Sequence, residues 1–425
     1  MKLVKKNIVR TFLITMLLGL VFSCRTDDDA GPSDGENNNN GTDVILISED
    51  IEDDTVLENI ELDPTKPDYI VTDFISIKSI LTIDPGVVIE FDANAGFSVD
   101  GIIDQGVLIA KGTSELPIIF TGTSKTKGFW RGIRIFTNDV RNEMDYVTLE
   151  YAGSDALLDI IKNDVRAGVA LKFSVGGFTS SLKITNSTIQ DVDGYRLAVD
   201  QSSCLLRSFS NNSFSNNTEA SVLIPSTTVS SLDTESNYTG DNGYDGIEVN
   251  DDGNIESIEN NMEWPAFLDG SSYYISSTID VEAVLTIMPG AILEFEANTE
   301  MVFREKLDAQ DGVLVADGTS ENPIIFTAIK KEPGYWKGLR IQSNSNNLMN
   351  HCLIEYGGSN TIAGDKKANI GLDHVSGFPF PKLTLTSSDI QNSTGCGVAI
   401  EDVRSEFEQR FNSYSNLDEG SVCSE

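Results

Sequence analysis

The sequence predicts an all-β chain: a right-handed parallel β-helix, a solenoid built from two tandem homologous halves. Three observations predict it. The chain carries an ordered internal duplication. Its short β-branched runs are separated by Gly, Asn, Ser, Thr and Pro and recur at roughly two dozen residues, the size of one three-strand coil. Outside the N-terminal leader, no stretch combines helical periodicity with caps.

The duplication is read directly. Leu81-Thr82-Ile83-Asp84-Pro85-Gly86 with Ile89-Glu90-Phe91 returns as Leu285-Thr286-Ile287-Met288-Pro289-Gly290 with Leu293-Glu294-Phe295. Pro117-Ile118-Ile119-Phe120-Thr121 returns as Pro323-Ile324-Ile325-Phe326-Thr327. Phe129-Trp130-Arg131-Gly132 returns as Tyr335-Trp336-Lys337-Gly338, and Glu150-Tyr151 as Glu355-Tyr356. The matches keep their order at a nearly constant offset, as one structural unit repeated.

Within each half, runs such as Val107-Leu108-Ile109, Ile133-Arg134-Ile135 and Val147-Thr148-Leu149 read as strands between turns. Stacked parallel strands place like on like, so Asn186 and Asn212 are expected to form part of an Asn ladder at a turn. The matched apolar positions Ile83, Ile89, Phe91, Ile119, Phe120, Ile133, Ile287, Leu293, Phe295, Ile325, Phe326 and Leu339 are expected inside in part or whole, with Glu90 and Glu294 facing solvent. A propeller or sandwich would favour two-residue hairpin turns, and Asn-Gly or Asp-Gly between alternating runs is sparse. The expected organisation is a leader over 1–23, a tether over 24–50, a first half over 51–225, a connector over 226–262 outside the coils, and a second half over 263–425. The segment from Glu52 to Asp73 is expected to cap the first coil, and the tail after Asn416 the last.

Leu-Thr-Ile-x-Pro-Gly, Pro-Ile-x-Phe-Thr, Trp-Arg/Lys-Gly and Glu-Tyr-x-Gly together resemble the recurring text of the right-handed parallel β-helix repeat lipoproteins of Bacteroidetes. The resemblance covers roughly residues 55–425 and implies the fold and an exported lipoprotein. It implies no particular activity.

Lys2, Lys5, Lys6 and Arg10 precede an apolar run, Thr11 to Phe22, too short to remain as a spanning helix. Leu20-Val21-Phe22-Ser23-Cys24 resembles a bacterial lipobox, with Cys24 as the lipid-bearing first residue; the other reading is an ordinary cleavage site beside an incidental cysteine. Asp27-Asp28-Asp29 resembles the surface-export signal of Bacteroidetes lipoproteins, and the Gly- and Asn-rich stretch to Thr42 reads as a disordered tether. The implied address is the outer face of the cell outer membrane.

The chain holds 30 Lys+Arg against 66 Asp+Glu, a net charge of -36. Without the four basic leader residues the balance is 26 against 66, or about −40. Such a surface repels nucleic acid and phospholipid headgroups, and polyanionic sugars too unless a cation bridges the two. Neutral glycans, proteins and divalent cations remain as partners, and a monomer is expected. Cys204, Cys352, Cys396 and Cys423 have no cysteine at their counterparts, so they read as scattered small hydrophobes, with a Cys396–Cys423 bridge as an alternative.

Few residues suggest chemistry. Trp130 and Trp336 suit either a sugar-stacking platform or a packed coil corner, and repetition favours the corner. Arg134 and Arg340 are expected to pair across strands with Glu150 and Glu355. Asp191 and Asp193, two apart and so on one strand face, are the candidate catalytic carboxylates of a glycoside hydrolase. Their second-half counterparts are Asn392 and Thr394. The hydrolases that share this fold carry Gly-His-Gly and Arg-x-Lys elements; His351 and His374 lack flanking glycines, and Arg304-Glu305-Lys306 matches by letter alone. Asp241, Asp245, Asp251 and Asp252 form a candidate calcium loop in which Gly243 stands where a ligand belongs; a solvated loop is the other reading. No other cofactor is implied. A non-catalytic surface module binding glycan or protein is the first functional expectation, and a polysaccharide lyase or hydrolase the second.

Overall fold

The computed structural model describes residues 44–424 apart from 102–104, 160–163, 174–176, 178, 252–256 and 307–310. The leader, Cys24 and Asp27 to Asp29 lie outside the described residues. Among the described residues no helix is long and apolar enough to cross a membrane.

Short strands follow one another around three faces, and each pairs in parallel with the strand one coil away. In the first half the path runs from Gly96–Asp100 to Val107–Lys111 to Ile118–Gly122 and back to Gly132–Phe136. A 13-stranded sheet, from Phe74–Ile77 to Ser413–Leu417, continues through both halves. The other two faces are each divided: a 6- and a 7-stranded sheet in the first half, and a 6- and a 7-stranded sheet in the second. Among the described strands, Thr361–Ala363, which is off the coil path, pairs antiparallel with the coil strand Lys366–Leu372. This is the parallel β-helix the sequence predicts. Right-handedness is the sense that twisted strands impose on parallel crossovers.

Inward residues fill one continuous core that contains Ile83, Ile89, Phe91, Phe120, Ile133, Ile287, Leu293, Phe295, Phe326 and Leu339. Ile119 and Ile325 are only half-buried, because Ile118 and Ile324 take the inward positions of those strands. Three expected boundaries move. The strand Ile45–Ile47 pairs with Tyr69–Val71, so the first coil begins inside the segment expected to be tether. Glu52 to Asp73 and the tail after Asn416 carry coil strands of their own, Thr55–Leu57, Tyr69–Val71 and Val422–Ser424. Residues 226–262 join the halves as part of the stack: Tyr244–Val249 pairs with Ala220–Ile224 on one side and Ser272–Ile275 on the other.

The insertion changes the frame. Ile118–Gly122 belongs to a first-half sheet that stops at the junction, whereas its repeat partner Ile324–Ala328 belongs to the through-sheet. Gly132–Phe136 is in the through-sheet, and its partner Gly338–Ile341 is not. Equivalent strands therefore sit one face apart, because the joining segment adds strand positions that are not a whole number of coils.

Candidate functional site

The repeated residues turn out to be structural. Trp130 and Trp336 are fully buried, so neither offers a face to a sugar. Each indole stacks on the matched phenylalanine, Trp130 on Phe91 at 4.1 Å and Trp336 on Phe295 at 3.9 Å between ring centroids. Each Nε1–H donates to a backbone oxygen, of Glu150 at 2.7 Å and of Glu355 at 2.8 Å. The glycine two residues on is required: Gly132 and Gly338 have φ of 117° and 125°, and a Cβ there would meet a backbone carbonyl oxygen of the next coil at 2.5 and 2.6 Å.

The expected Arg–Glu pairs do not form. Arg134 donates to Ser98, and Arg340 to Glu300 and Asp373. Instead Glu150 and Glu355 anchor two copies of one outward polar ladder. In the first half Glu90, Thr121, Glu150, Gln190 and Ser215 stand in register on successive coils. Lys125 donates to Glu90 and Thr121, Thr121 to Glu150 at 2.9 Å, and Gln190 to Glu150 at 3.1 Å. In the second half Glu294, Thr327, Glu355, Gln391 and Ser415 repeat it. Lys331 donates to Glu294 and Thr327, Thr327 to Glu355 at 2.9 Å, and Gln391 to Glu355 at 2.8 Å. Like-on-like stacking of parallel coils produces this saturation.

The candidate catalytic carboxylates are also engaged. Asp191 and Asp193 lie in the turn between Thr188–Gln190 and Tyr195–Val199, not on a strand face, and Asp191 has a φ of 55°. Asn216 donates to Asp191 at 2.5 Å; Asp193 is ion-paired with Arg166 and accepts from Thr218 at 2.9 Å. Two members of the calcium candidate, Asp245 and Asp251, already have protein partners. Asp241 and Asp245 precede or begin the strand Tyr244–Val249, and Asp251 follows it, where it accepts from the Ser226 N–H. Asp252 lies outside the described residues. Asp245 Oδ1 is taken by the N–H groups of Gly240 and Asn242 and by the Asn242 amide. The buried Arg196 guanidinium donates to Asn242, so the positive charge beside this loop is the protein's own. The Asn ladder is displaced too: Asn212 bridges Ser187 and Ser236, while Asn186 turns outward to Asp145.

What differs between the copies is an aromatic patch on the outer face of the through-sheet. Next to the first ladder stand Ile70 and Phe129; next to the second, at the matched positions, stand Tyr274 and Tyr335. Tyr244, from the joining segment, adds a third ring 5.2 Å from Tyr274. Tyr244 donates to Glu294 Oε2 at 2.7 Å, Tyr274 to Glu296 Oε2 at 2.6 Å, and Tyr335 to Glu296 Oε1. The three rings and both carboxylates are half-buried, so the hydroxyls are pinned while ring surface stays open. Burial pushes the Glu294 and Glu296 carboxyls up, but hydrogen bonds from Lys331 and Tyr244 to the first, and from Ala297 N–H, Tyr274 and Tyr335 to the second, outweigh it. Both end below the usual carboxylate range and are ionised at neutral pH. Neither is a general acid. Sequence reasoning missed the patch because it sought agreement between halves; the signal was disagreement, Ile70 against Tyr274 and Phe129 against Tyr335.

A groove of about 1200 Å³ opens nearby, where the 3-10 helix Ser226–Ser231 gives way to the strand Met262–Trp264; Leu232, Met262, Leu268 and Met288 line it. Ser230, Thr234, Asn261, Glu263 and Asn322 add polar groups to its lining. Cys204 and Cys352 are buried free thiols, pushed by burial to about 11 and about 12. Cys396 and Cys423 are joined as a disulfide, so this pair is not a set of scattered hydrophobes.

The class these coils define is a parallel β-helix solenoid protein. Neither a known protein family nor a curated protein matches the sequence. Among solved structures, the crystal structure of PfbA, a surface adhesin of Streptococcus pneumoniae, is similar over 83% of this chain and 83% of that chain, at 13% identity and a TM-score of 0.30. The fold assignment rests on the strand ladders of this chain rather than on that likeness.

Proposed function

We propose that the protein is a surface lipoprotein of the Bacteroidetes β-helix repeat type, anchored in the outer membrane through Cys24, whose solenoid is a non-catalytic module binding a neutral glycan. The observation that carries the reading is the arrangement of Tyr274 and Tyr335 around Glu296, with Tyr244 and Glu294 beside it. Pinned rings offer apolar surface to the C–H face of a pyranose at little entropic cost, and ionised carboxylates accept from its hydroxyls. The large negative charge favours an uncharged ligand over an anionic one. Full engagement of Asp191, Asp193, Glu150 and Glu355 speaks against the hydrolase alternative.

The test uses bacteria displaying the full chain and fluorescently labelled β-glucan, xylan and mannan, with polygalacturonate as the anionic control. A neutral polymer should bind; Tyr274→Ala with Tyr335→Ala should reduce binding at least tenfold, while Phe129→Ala should leave it unchanged. Cys24→Ser should move the bound label from cells to medium. Equal binding by the double tyrosine variant, or release of reducing ends, would sink the reading.

A further inference from the structure

Cys396 and Cys423 belong to paired strands of the last two described coils, Cys396–Ile400 and Val422–Ser424, with Cα atoms 6.1 Å apart. Glu419 reaches the same spot: its Oε2 lies 3.1 Å from Cys396 Sγ and 4.0 Å from Cys423 Sγ. One ligand atom from each of the three lies within 4.8 Å of the others. Cys396 is buried, Cys423 half-buried and Glu419 exposed, so the cluster is closed by the coil on one side and open to solvent on the other. No lysine or arginine among the described residues is ion-paired with Glu419. The first half has no such cluster, since the matched residues are Tyr195 and Leu223.

We propose that, once reduced, Cys396, Cys423 and Glu419 form a binding site for a thiophilic divalent cation, with zinc the ion their donors suit best. Two thiolates and a carboxylate are a zinc-type donor set, and an open side leaves room for water as the fourth ligand. Zinc–sulfur bonds of about 2.3 Å in tetrahedral geometry hold sulfurs about 3.8 Å apart, a separation that side-chain rotation from this backbone spacing reaches. The change of state balances as follows. A small dithiol gives two electrons and two protons to the Cys396–Cys423 bond; that bond breaks, two thiols form, and the reductant closes its own disulfide. The cation then takes both sulfurs as thiolates and releases their two protons to solvent. In the oxidised state a covalent bond fastens the edge strand Val422–Ser424, and in the reduced state the metal does. Without a cation, two neutral thiols stand beside Glu419 and nothing joins the two strands through them, so the reduced, metal-free coil end is the loosest of the three states.

The full chain carrying Cys24→Ser, Cys204→Ser and Cys352→Ser keeps only this pair. Reduced with a phosphine under nitrogen, it is titrated with Co2+ as an optical probe. One Co2+ per chain is expected, with a near-ultraviolet sulfur-to-metal charge-transfer band that Zn2+ abolishes. Cys423→Ser should lose the band, and Glu419→Gln should weaken Co2+ binding at least tenfold. The strand signal in circular dichroism and a count of two free thiols establish that the reduced chain is folded. A folded chain with two free thiols and no charge-transfer band overturns the proposal, as does unchanged affinity in Glu419→Gln.

Discussion

The two halves were copied from one text and no longer do the same work. Each has a tryptophan stacked on a phenylalanine in the core and a Glu-Thr-Glu-Gln-Ser ladder outside. The first ladder lies on a sheet that stops at the junction; the second lies on the sheet that continues, beside three tyrosines. Agreement between copies marks what the coil needs in order to stand. Divergence marks where selection has acted on something else. The comparison also corrects intuition about tryptophan: the most conspicuous aromatic in the repeat is interior, and the half-buried tyrosines beside the ladder are present in one copy.

The strongest way to break the comparison is to remove the tryptophans. Trp130→Ala and Trp336→Ala should each cost about 3–5 kcal/mol, since each leaves a cavity beside a stacked phenylalanine and an unfilled backbone acceptor. Urea unfolding checks this, and a variant that costs nothing would show that one copy is not structural. Glu150→Ala and Glu355→Ala come next. Each strands a threonine hydroxyl and a glutamine amide, at about 1–3 kcal/mol. Because Glu355 is buried and Glu150 half-buried, the second-half variant should be the worse of the two.

The smallest effect is a titration confined to one half. Burial, and then the bond to Glu296, push the Tyr335 hydroxyl up to about 12. An unfolded phenol ionises near 10. The contact's stabilisation is therefore intact below about pH 10 and lost as pH rises through about 12. Other buried phenols also titrate late, so absorbance at 295 nm should show one late-titrating phenol fewer in Tyr335→Phe than in the parent, whereas Phe129→Tyr should add a phenol that titrates earlier.

The coil path was legible because its signals are local: a Pro-Gly turn, a β-branched run, a glycine after tryptophan where no Cβ fits. Pairings were less so. Arg134 chose Ser98 because the strands facing it come from neighbouring coils, whose order is set by the frame of the stack rather than by sequence distance. The frame shift itself was hidden in residues 226–262, which resemble nothing else in the chain yet carry Tyr244–Val249 into the through-sheet. Tyr244, Arg196 and Glu419 act through partners that no repeat comparison brings to mind.

The shift of one face has a consequence for anything broad that approaches this molecule. Had the halves stacked in phase, the two polar ladders would have made one long strip, and an extended polymer or a flat wall could have lain along both. As built, they look out in different directions. A broad partner meets one of them at a time, so duplication here supplies two aspects to the surroundings instead of a doubled grip.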